Sequence, residues 1–490
     1  MQTDQINSFK ALKDSGYKPK SIKEELRSNL LEALKADKKT FEKIWGFDHT
    51  VLPEIERAIL SKHNILLLGL RGQAKTRIAR QMVQLLDEYI PVVKGSPIND
   101  DPFNPISRYA QNMIAEHGDD CPIEWVHRSS RFVEKLATPD VRVSDLIGDV
   151  DPIKAANLKL DYSDERVLHF GLIPRAHRSI FVLNELPDLQ ARIQVSLFNI
   201  LQEGDIQIRG FKLRLPLDVQ FVFTANPEDY TNRGSIITPL KDRIESQILT
   251  HYPLDIKVAM QITEQEANIE ESLRSSVYIH PKLREMVDRL AFVARESEYV
   301  DEKSGVSARL SIAALENLYS TVERRMLKNN EDQGFAHLID LWGVVPAITG
   351  KMELVYEGEQ EGALWVARQL LDELIKDTFL NYFPHPNKLA KGEKDDPFAA
   401  VNDWFAAGKI LNLNADTDES TYRKNLDEIN GLEAMVVDKI RSAEEKYFFM
   451  ELLINGLAAY GMLTKEYEGA MISFNDSLAG LLDDDSIFKM

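Results

Sequence analysis

The chain reads as an α/β protein built on a parallel sheet with helices on both faces, followed by a nearly all-helical second half. Three observations predict this. Apolar runs ending in glycine or polar residues alternate with helical spacing over about 200 residues, as strand–helix units of a parallel sheet do. One run, Ile65-Leu66-Leu67-Leu68, passes through a glycine loop into Lys75-Thr76, where a helix opens. After Pro253 the strand signals stop, and helical spacing continues through Ile312, Leu315, Leu318 and Val322 to Leu380.

Residues 1–45 carry helical spacing (Ile22, Leu26, Leu30, Leu34) and read as a helical N-terminal extension. Val51, Ile55, Ala58 and Ile59 predict a helix leading into the first strand, and Thr76–Tyr89 a helix after it. Residues 91–122, rich in Pro, Asn and Asp, read as a long irregular insertion. Ile123–Val126 is expected as the second strand, and Lys159–Phe170 as a hairpin around Ser163-Asp164. Ser179–Glu185 is apolar until its last two residues and predicts the third strand, with a helix over Ala191–Gln202 behind it. Asp205–Pro216 alternates on both sides of Gly210 and predicts a hairpin. Val219–Thr224 and Ile244–Thr250 complete the expected strands. Pro384-His385-Pro386 and the charged run Lys391–Asp396 mark a boundary, which gives domains at 46–253, 254–380 and 381–490. The last of these reads as acidic and mostly helical.

Composition narrows the function classes. With 78 acidic and 59 basic side chains the net charge is −19, and such a surface repels nucleic-acid phosphates on average. One cysteine, Cys121, excludes an intrachain disulfide framework and fits a reducing compartment. No signal-peptide core and no long apolar window is present, so a soluble, cytoplasmic protein without a membrane span is expected. The ten histidines show no metal-ligand spacing.

The chemistry is concentrated at the strand ends. Gly69, Leu70, Arg71, Gly72, Gln73, Ala74, Lys75 and Thr76 follow the phosphate-loop pattern G-x-x-x-x-G-K-[ST], with alanine where the second glycine belongs. Glycines bring backbone N–H groups to phosphate, the lysine reaches the β/γ-phosphates, and the Ser/Thr hydroxyl ligates Mg²⁺. A Cβ at Ala74 is tolerated only at a negative φ. Asn184 offers an amide to a Mg²⁺-bound water without bringing charge, and Glu185 is the right group for a general base. Asn226, after Val219–Thr224, is placed to orient a lytic water, although taken alone it reads first as an Asn-Pro turn. Arg243, after Asp242, and Arg309, opening a later helix, are candidates for stabilising transition-state charge. Either also fits a surface salt bridge.

Together these segments resemble Walker A, Walker B, sensor 1 and arginine finger of an AAA+ ATPase. More narrowly, the chain resembles the clade of the magnesium-chelatase ATPase subunit and the MoxR-type ATPases. The alanine-bearing loop looks MoxR-like. Gly171–Arg178 is similar to the magnesium-chelatase pattern, as is Asn184-Glu185-Leu186-Pro187 apart from its first residue. The clade's two hairpin insertions fall at Lys159–Phe170 and Asp205–Pro216. The resemblance implies an AAA+ α/β domain at 46–253 and a helical lid at 254–380. It implies ATP and Mg²⁺ as ligands, with Thr76 and Asn184 handling the metal and Glu185 as base. Asn226 becomes sensor 1, Arg243 a finger supplied in trans and Arg309 sensor 2.

The implied activity is ATP hydrolysis in a homo-oligomeric ring, a hexamer, that remodels a partner bearing a von Willebrand A domain. Magnesium insertion and MoxR-like chaperoning fit equally. A sigma-54-type transcription activator is a different class, and its Gly-Ala-Phe-Thr-Gly-Ala loop is absent. A nucleotide-binding scaffold that does not turn over is a third, which Asn184 makes thinkable.

Overall fold

A computed structural model describes residues 6–159, 165–207, 214–227, 235–386 and 397–476. The chain divides into two compact units, Met1–His251 and Tyr252–Met490.

The first unit is organised by a five-stranded parallel sheet. Its order across is Ser246–Leu249, Ile65–Leu68, Val219–Ala225, Ser179–Asn184 and Phe132–Leu136. Numbered along the chain, that order is 5-1-4-3-2. Successive side chains of a strand point to opposite faces, and a sheet covered on both sides needs apolar residues at every position. Leu66, Phe181, Leu183, Phe221 and Phe223 therefore enter the core under helix Ala191–Glu203. Ile65, Leu67, Ile180, Val182 and Val222 enter the other, with helices Ile22–Lys35, Val51–Leu60 and Lys75–Gln81.

Residues 6–45 pack within this unit. Ser21 and Glu24 form a capping box at the start of helix Ile22–Lys35. Ile22, Leu26, Leu30, Phe41 and Ile44 share a core with the first strand.

Two strand expectations change. Ile123–His127 does form a strand, but it pairs antiparallel with Tyr89–Val93 in a separate two-stranded sheet. Its expected place in the main sheet is taken by Phe132–Leu136, whose Phe-Val-Glu-Lys-Leu sequence suits a sheet edge with one covered face. Leu168–Phe170 pairs with Gly148–Val150, so the first insertion's ladder is not made within Lys159–Phe170; residues 160–164 lie outside the described ones. Asp205–Gln207 pairs antiparallel with Arg214–Pro216, as a hairpin requires, and its tip at 208–213 lies outside them as well. The insertion at 91–122 contains a helix, Arg108–His117, capped by Ser107. The helix after the glycine loop is α-helical over Lys75–Gln81 and tightens to a 3₁₀ turn over Met82–Leu85.

The second unit packs helices Pro281–Glu296, Arg309–Asn329, Ala363–Leu380 and Ala443–Ala459 around one core running from Val277 to Phe474. Residues on both sides of Pro384–Pro386 contribute to it, so 254–380 and 381–476 are packed as one body; the charged run 391–396 lies outside the described residues. The mostly helical C-terminal region also carries a three-stranded antiparallel sheet, Leu411–Asn414, Met471–Asp476 and Leu463–Glu468. Among the described residues no helix is long and apolar enough to cross a membrane.

Candidate functional site

The glycine loop begins where the Ile65–Leu68 strand leaves the sheet. Gly69 N–H donates to Ala225 O at 3.1 Å, which keeps the backbone against the neighbouring strand. A Cβ at Gly69 would run into Thr250 Oγ1 and Gln73 Oε1, so any larger residue would have to push both side chains aside. Thr250 donates to Gln73 Oε1 at 2.7 Å and buttresses the loop from the end of the Ser246–Leu249 strand. Gly72 turns at φ +77°. Ala74 also lies in the left-handed region, at φ +55° and ψ 13°, contrary to the negative φ expected for it. An L-residue there costs roughly 1–2 kcal/mol, and only the surrounding contacts hold it. Lys75 is buried, and its ammonium lies over the loop, donating to Gly69 O and, at 3.0 Å, to Leu70 O.

Three elements converge on Asn184, the last residue of the Ser179–Asn184 strand. Its Oδ1 accepts from Thr76 Oγ1 at 3.4 Å and from Thr224 Oγ1 at 3.1 Å. Its Nδ2 donates to Glu134 Oε1 at 2.6 Å. The other Glu134 oxygen accepts from Arg80 Nε at 3.0 Å and Nη2 at 2.8 Å. Glu185 follows at φ +55°, and its N–H donates to Thr224 Oγ1 at 3.2 Å. Such a turn directly after a buried strand is the kind of stored strain found at functional positions. Asn226 is buried just beyond the Val219–Ala225 strand.

Thr76, Asn184, Glu185 and Asn226 thus stand at the ends of adjacent parallel strands and the helix after the loop, where open α/β sheets bind ligands. Thr224, Glu134 and Arg80 join this group without any sequence motif to announce them. Thr224 is the last hydroxyl of a strand, and Glu134 sits on the strand the sequence did not reveal.

Within this unit one expected site residue, Arg243, is placed apart from the cluster. Arg243 stacks on Phe198 with its guanidinium carbon 3.9 Å from the ring centre, and bonds Gln202 Oε1 at 3.1 Å and Pro239 O at 2.9 Å. Its setting is the helix Ala191–Glu203 and the Pro239 turn, not the Thr76–Asn184 cluster. Arg309 is exposed in the second unit, at the start of helix Arg309–Asn329, where its N–H donates to Ser307 Oγ at 3.2 Å.

The family model of the sigma-54 interaction domain matches residues 161–248, which include the third, fourth and fifth strands of the main sheet. That match covers one segment of the first unit, and the fold it lies in is a parallel α/β sheet flanked by helices. Similar solved structures include NtrX from Brucella abortus in complex with ADP, at 13% identity, over 65% of this chain and with a TM-score of 0.35. The chain spans 58% of the length of that NtrX chain. Hsp104 with ATPγS and casein is similar at 13% identity, over 66% of this chain and 52% of that one, with a TM-score of 0.37. The BchI and BchD complex of magnesium chelatase is similar at 18% identity, over 65% of this chain and 98% of the matched one, with a TM-score of 0.33. The glycine loop and the Asn184 cluster both lie at the carboxyl ends of the parallel strands.

Proposed function

We propose that the chain is an AAA+ ATPase resembling the ATPase subunit of magnesium chelatase. On this reading it binds ATP with Mg²⁺, hydrolyses it, and uses the cycle to remodel a partner protein. The observation that carries the reading is the meeting of Thr76, Thr224 and Glu134 on Asn184 beside a loop packed closely around Gly69.

Gly69–Thr76 is proposed to hold the phosphates, with Lys75 moving its ammonium from the loop carbonyls to the β/γ-phosphate oxygens. The donors at the metal position suit Mg²⁺: a hydroxyl from Thr76, an amide oxygen from Asn184 and a nearby carboxylate, all oxygen. No group of three or more His, Cys, Asp or Glu among the described residues could hold a metal alone, so phosphate oxygens and waters would complete the shell. The metal, when bound, draws charge from the β- and γ-phosphate oxygens. Glu185 takes the proton of the attacking water, and Asn226 orients that water. Arg243 acts on the γ-phosphate of a neighbouring subunit, which requires it to leave its stack on Phe198. Arg309 is proposed as sensor 2 on the same resemblance.

A ring homo-oligomer, a hexamer, is proposed on the same resemblance, with Arg243 supplied in trans. The proposed partner bears a von Willebrand A domain, and the proposed moving element is the 205–216 hairpin. Tetrapyrrole metallation and MoxR-like chaperoning both fit this arrangement.

The family match at 161–248 favours a second reading, the sigma-54-type activator. Against it, the chain has no Gly-Ala-Phe-Thr-Gly-Ala sequence. The long C-terminal helix also turns Phe448, Phe449, Leu452, Leu453 and Leu457 into the core and presents no basic face to a DNA groove. ATP turnover measured beside ATP-dependent oligomer mass tests the proposal. A motor shows both, and a scaffold changes mass without turnover.

A further inference from the structure

AAA+ sites that hydrolyse ATP need negative charge beside the Mg²⁺ position, and Asn184 brings none. The sheet supplies a carboxylate by another route. Phe132–Leu136 runs parallel to Ser179–Asn184, with Glu134 opposite Val182 and Leu136 opposite Asn184. Glu134 is therefore the diagonal neighbour of Asn184 on one face of the sheet, within reach of a long side chain. On the helix packed over that face, Thr76 and Arg80 stand four residues apart and project together. Thr76 meets Asn184 and Arg80 meets Glu134, so two pairs close into one ring of four side chains.

We propose that Glu134 provides the charge that Asn184 lacks, acting through the Asn184 amide as a positioning residue for the metal. This rests on the ATP reading above. Both Asn184 Nδ2 and Glu134 Oε2 are already engaged, the first by Glu134 and the second by Arg80. Asn184 is thereby fixed with its Oδ1 toward Thr76 and Thr224. Donation from Nδ2 to a carboxylate pushes electron density onto Oδ1 and makes it a better acceptor for a metal-bound water. Arg80 is mostly exposed, 63%, whereas Glu134 is 23% exposed, so the carboxylate is held at the rim and is not a solvated surface charge.

The test is a Mg²⁺ titration of fluorescent-ATP binding to the full chain, with a parallel measurement in EDTA. Glu134→Gln is expected to lower the ratio of affinities with and without Mg²⁺ by about tenfold or more, the usual cost of losing an outer-shell partner of a metal. The exchange Glu134→Gln with Asn184→Asp keeps the hydrogen bond and moves the charge onto residue 184, and it is expected to restore the ratio. A ratio unchanged in Glu134→Gln overturns the inference. So does an equal weakening with and without Mg²⁺, which marks a merely structural pair, or a double variant no better than Glu134→Gln. If the unmodified chain binds no ATP even in EDTA, the ATP reading itself falls and takes this inference with it.

Discussion

Arg131 and Glu25, 106 residues apart in sequence, meet in two parallel hydrogen bonds of 2.7 Å with both side chains buried. The pair joins helix Ile22–Lys35 to the approach of the Phe132–Leu136 strand. Arg131 Nε also donates to Arg178 O at 2.9 Å, just before the Ser179–Asn184 strand. Helix Ile22–Lys35 thus braces the two strands that carry Glu134 and Asn184.

Breaking that fork leaves a guanidinium buried without its partner. Glu25→Ala is expected to destabilise the first unit by about 3–5 kcal/mol, as loss of one member of a buried ion pair does. Urea unfolding followed by circular dichroism measures it. A loss below about 1 kcal/mol, the range of exposed pairs, would show that the fork is not part of the folded core.

The second unit has a pH-sensitive fastening. His337 Nδ1 lies 2.7 Å from Glu451 Oε1, and Nε2 lies 2.8 Å from Glu419 Oε2. Its N–H donates to Asp340, which pairs with Arg325, and its ring stacks on Tyr422; Glu419 also pairs with Arg423. Burial alone would lower its pKa, but the charges of Glu451 and Glu419 outweigh that and raise it to about 9 from 6.5. A raised folded-state value means that the stabilisation is complete below pH 6.5 and is lost as pH rises through about 9. The melting temperature of the second unit should therefore fall between these values, and His337→Gln should flatten the slope. An equal slope in the variant assigns the pH dependence to other groups.

Ala74 at φ +55° carries the strain of a left-handed alanine. Ala74→Gly removes the Cβ and is expected to raise stability by up to about 1 kcal/mol, the strain relieved less the added entropy of the unfolded chain. Thermal melting of the two proteins decides it. A clear loss of stability would mean that the methyl's packing outweighs its backbone cost.

Arg243 is held on Phe198 and Gln202, away from the cluster of its own chain. As an arginine finger supplied to a neighbour, its replacement by alanine should cost roughly a thousandfold in kcat or more while ATP binding persists. Lysine should not rescue it, because it lacks the planar fork. Steady-state turnover of the assembled protein is the measurement, and an unchanged kcat in Arg243→Ala rules the role out.

Much of the frame was legible in the sequence because a parallel sheet covered on both faces writes its central strands as continuous apolar runs. Ile65–Leu68, Ser179–Asn184 and Val219–Ala225 all announce themselves in this way. Phe132–Leu136 does not, because an edge strand spends Glu134 and Lys135 on polar neighbours, and five mixed residues carry no periodic signal. Missing that strand hid Glu134, whose value lies in a diagonal contact across two strands. The same limit applies to Glu25 and Arg131, since spacing within a segment says nothing about which distant segment it will touch. The glycine loop was readable as a pattern, but the sign of φ at Ala74 was not, because the loop's tertiary contacts impose it. The strands at 411–414, 463–468 and 471–476 were masked by the longer helical segments around them.

The central claim is that the loop ending at Lys75-Thr76 holds ATP and that Glu185 activates water against it. Its most direct test is ATP turnover by the purified full chain beside Lys75→Ala and Glu185→Gln, with ATP binding measured on the same samples. The account predicts slow but measurable hydrolysis by the unmodified chain. Lys75→Ala should lose both binding and hydrolysis, and Glu185→Gln should retain binding without turnover. Hydrolysis by the unmodified chain no faster than that of Lys75→Ala would contradict it.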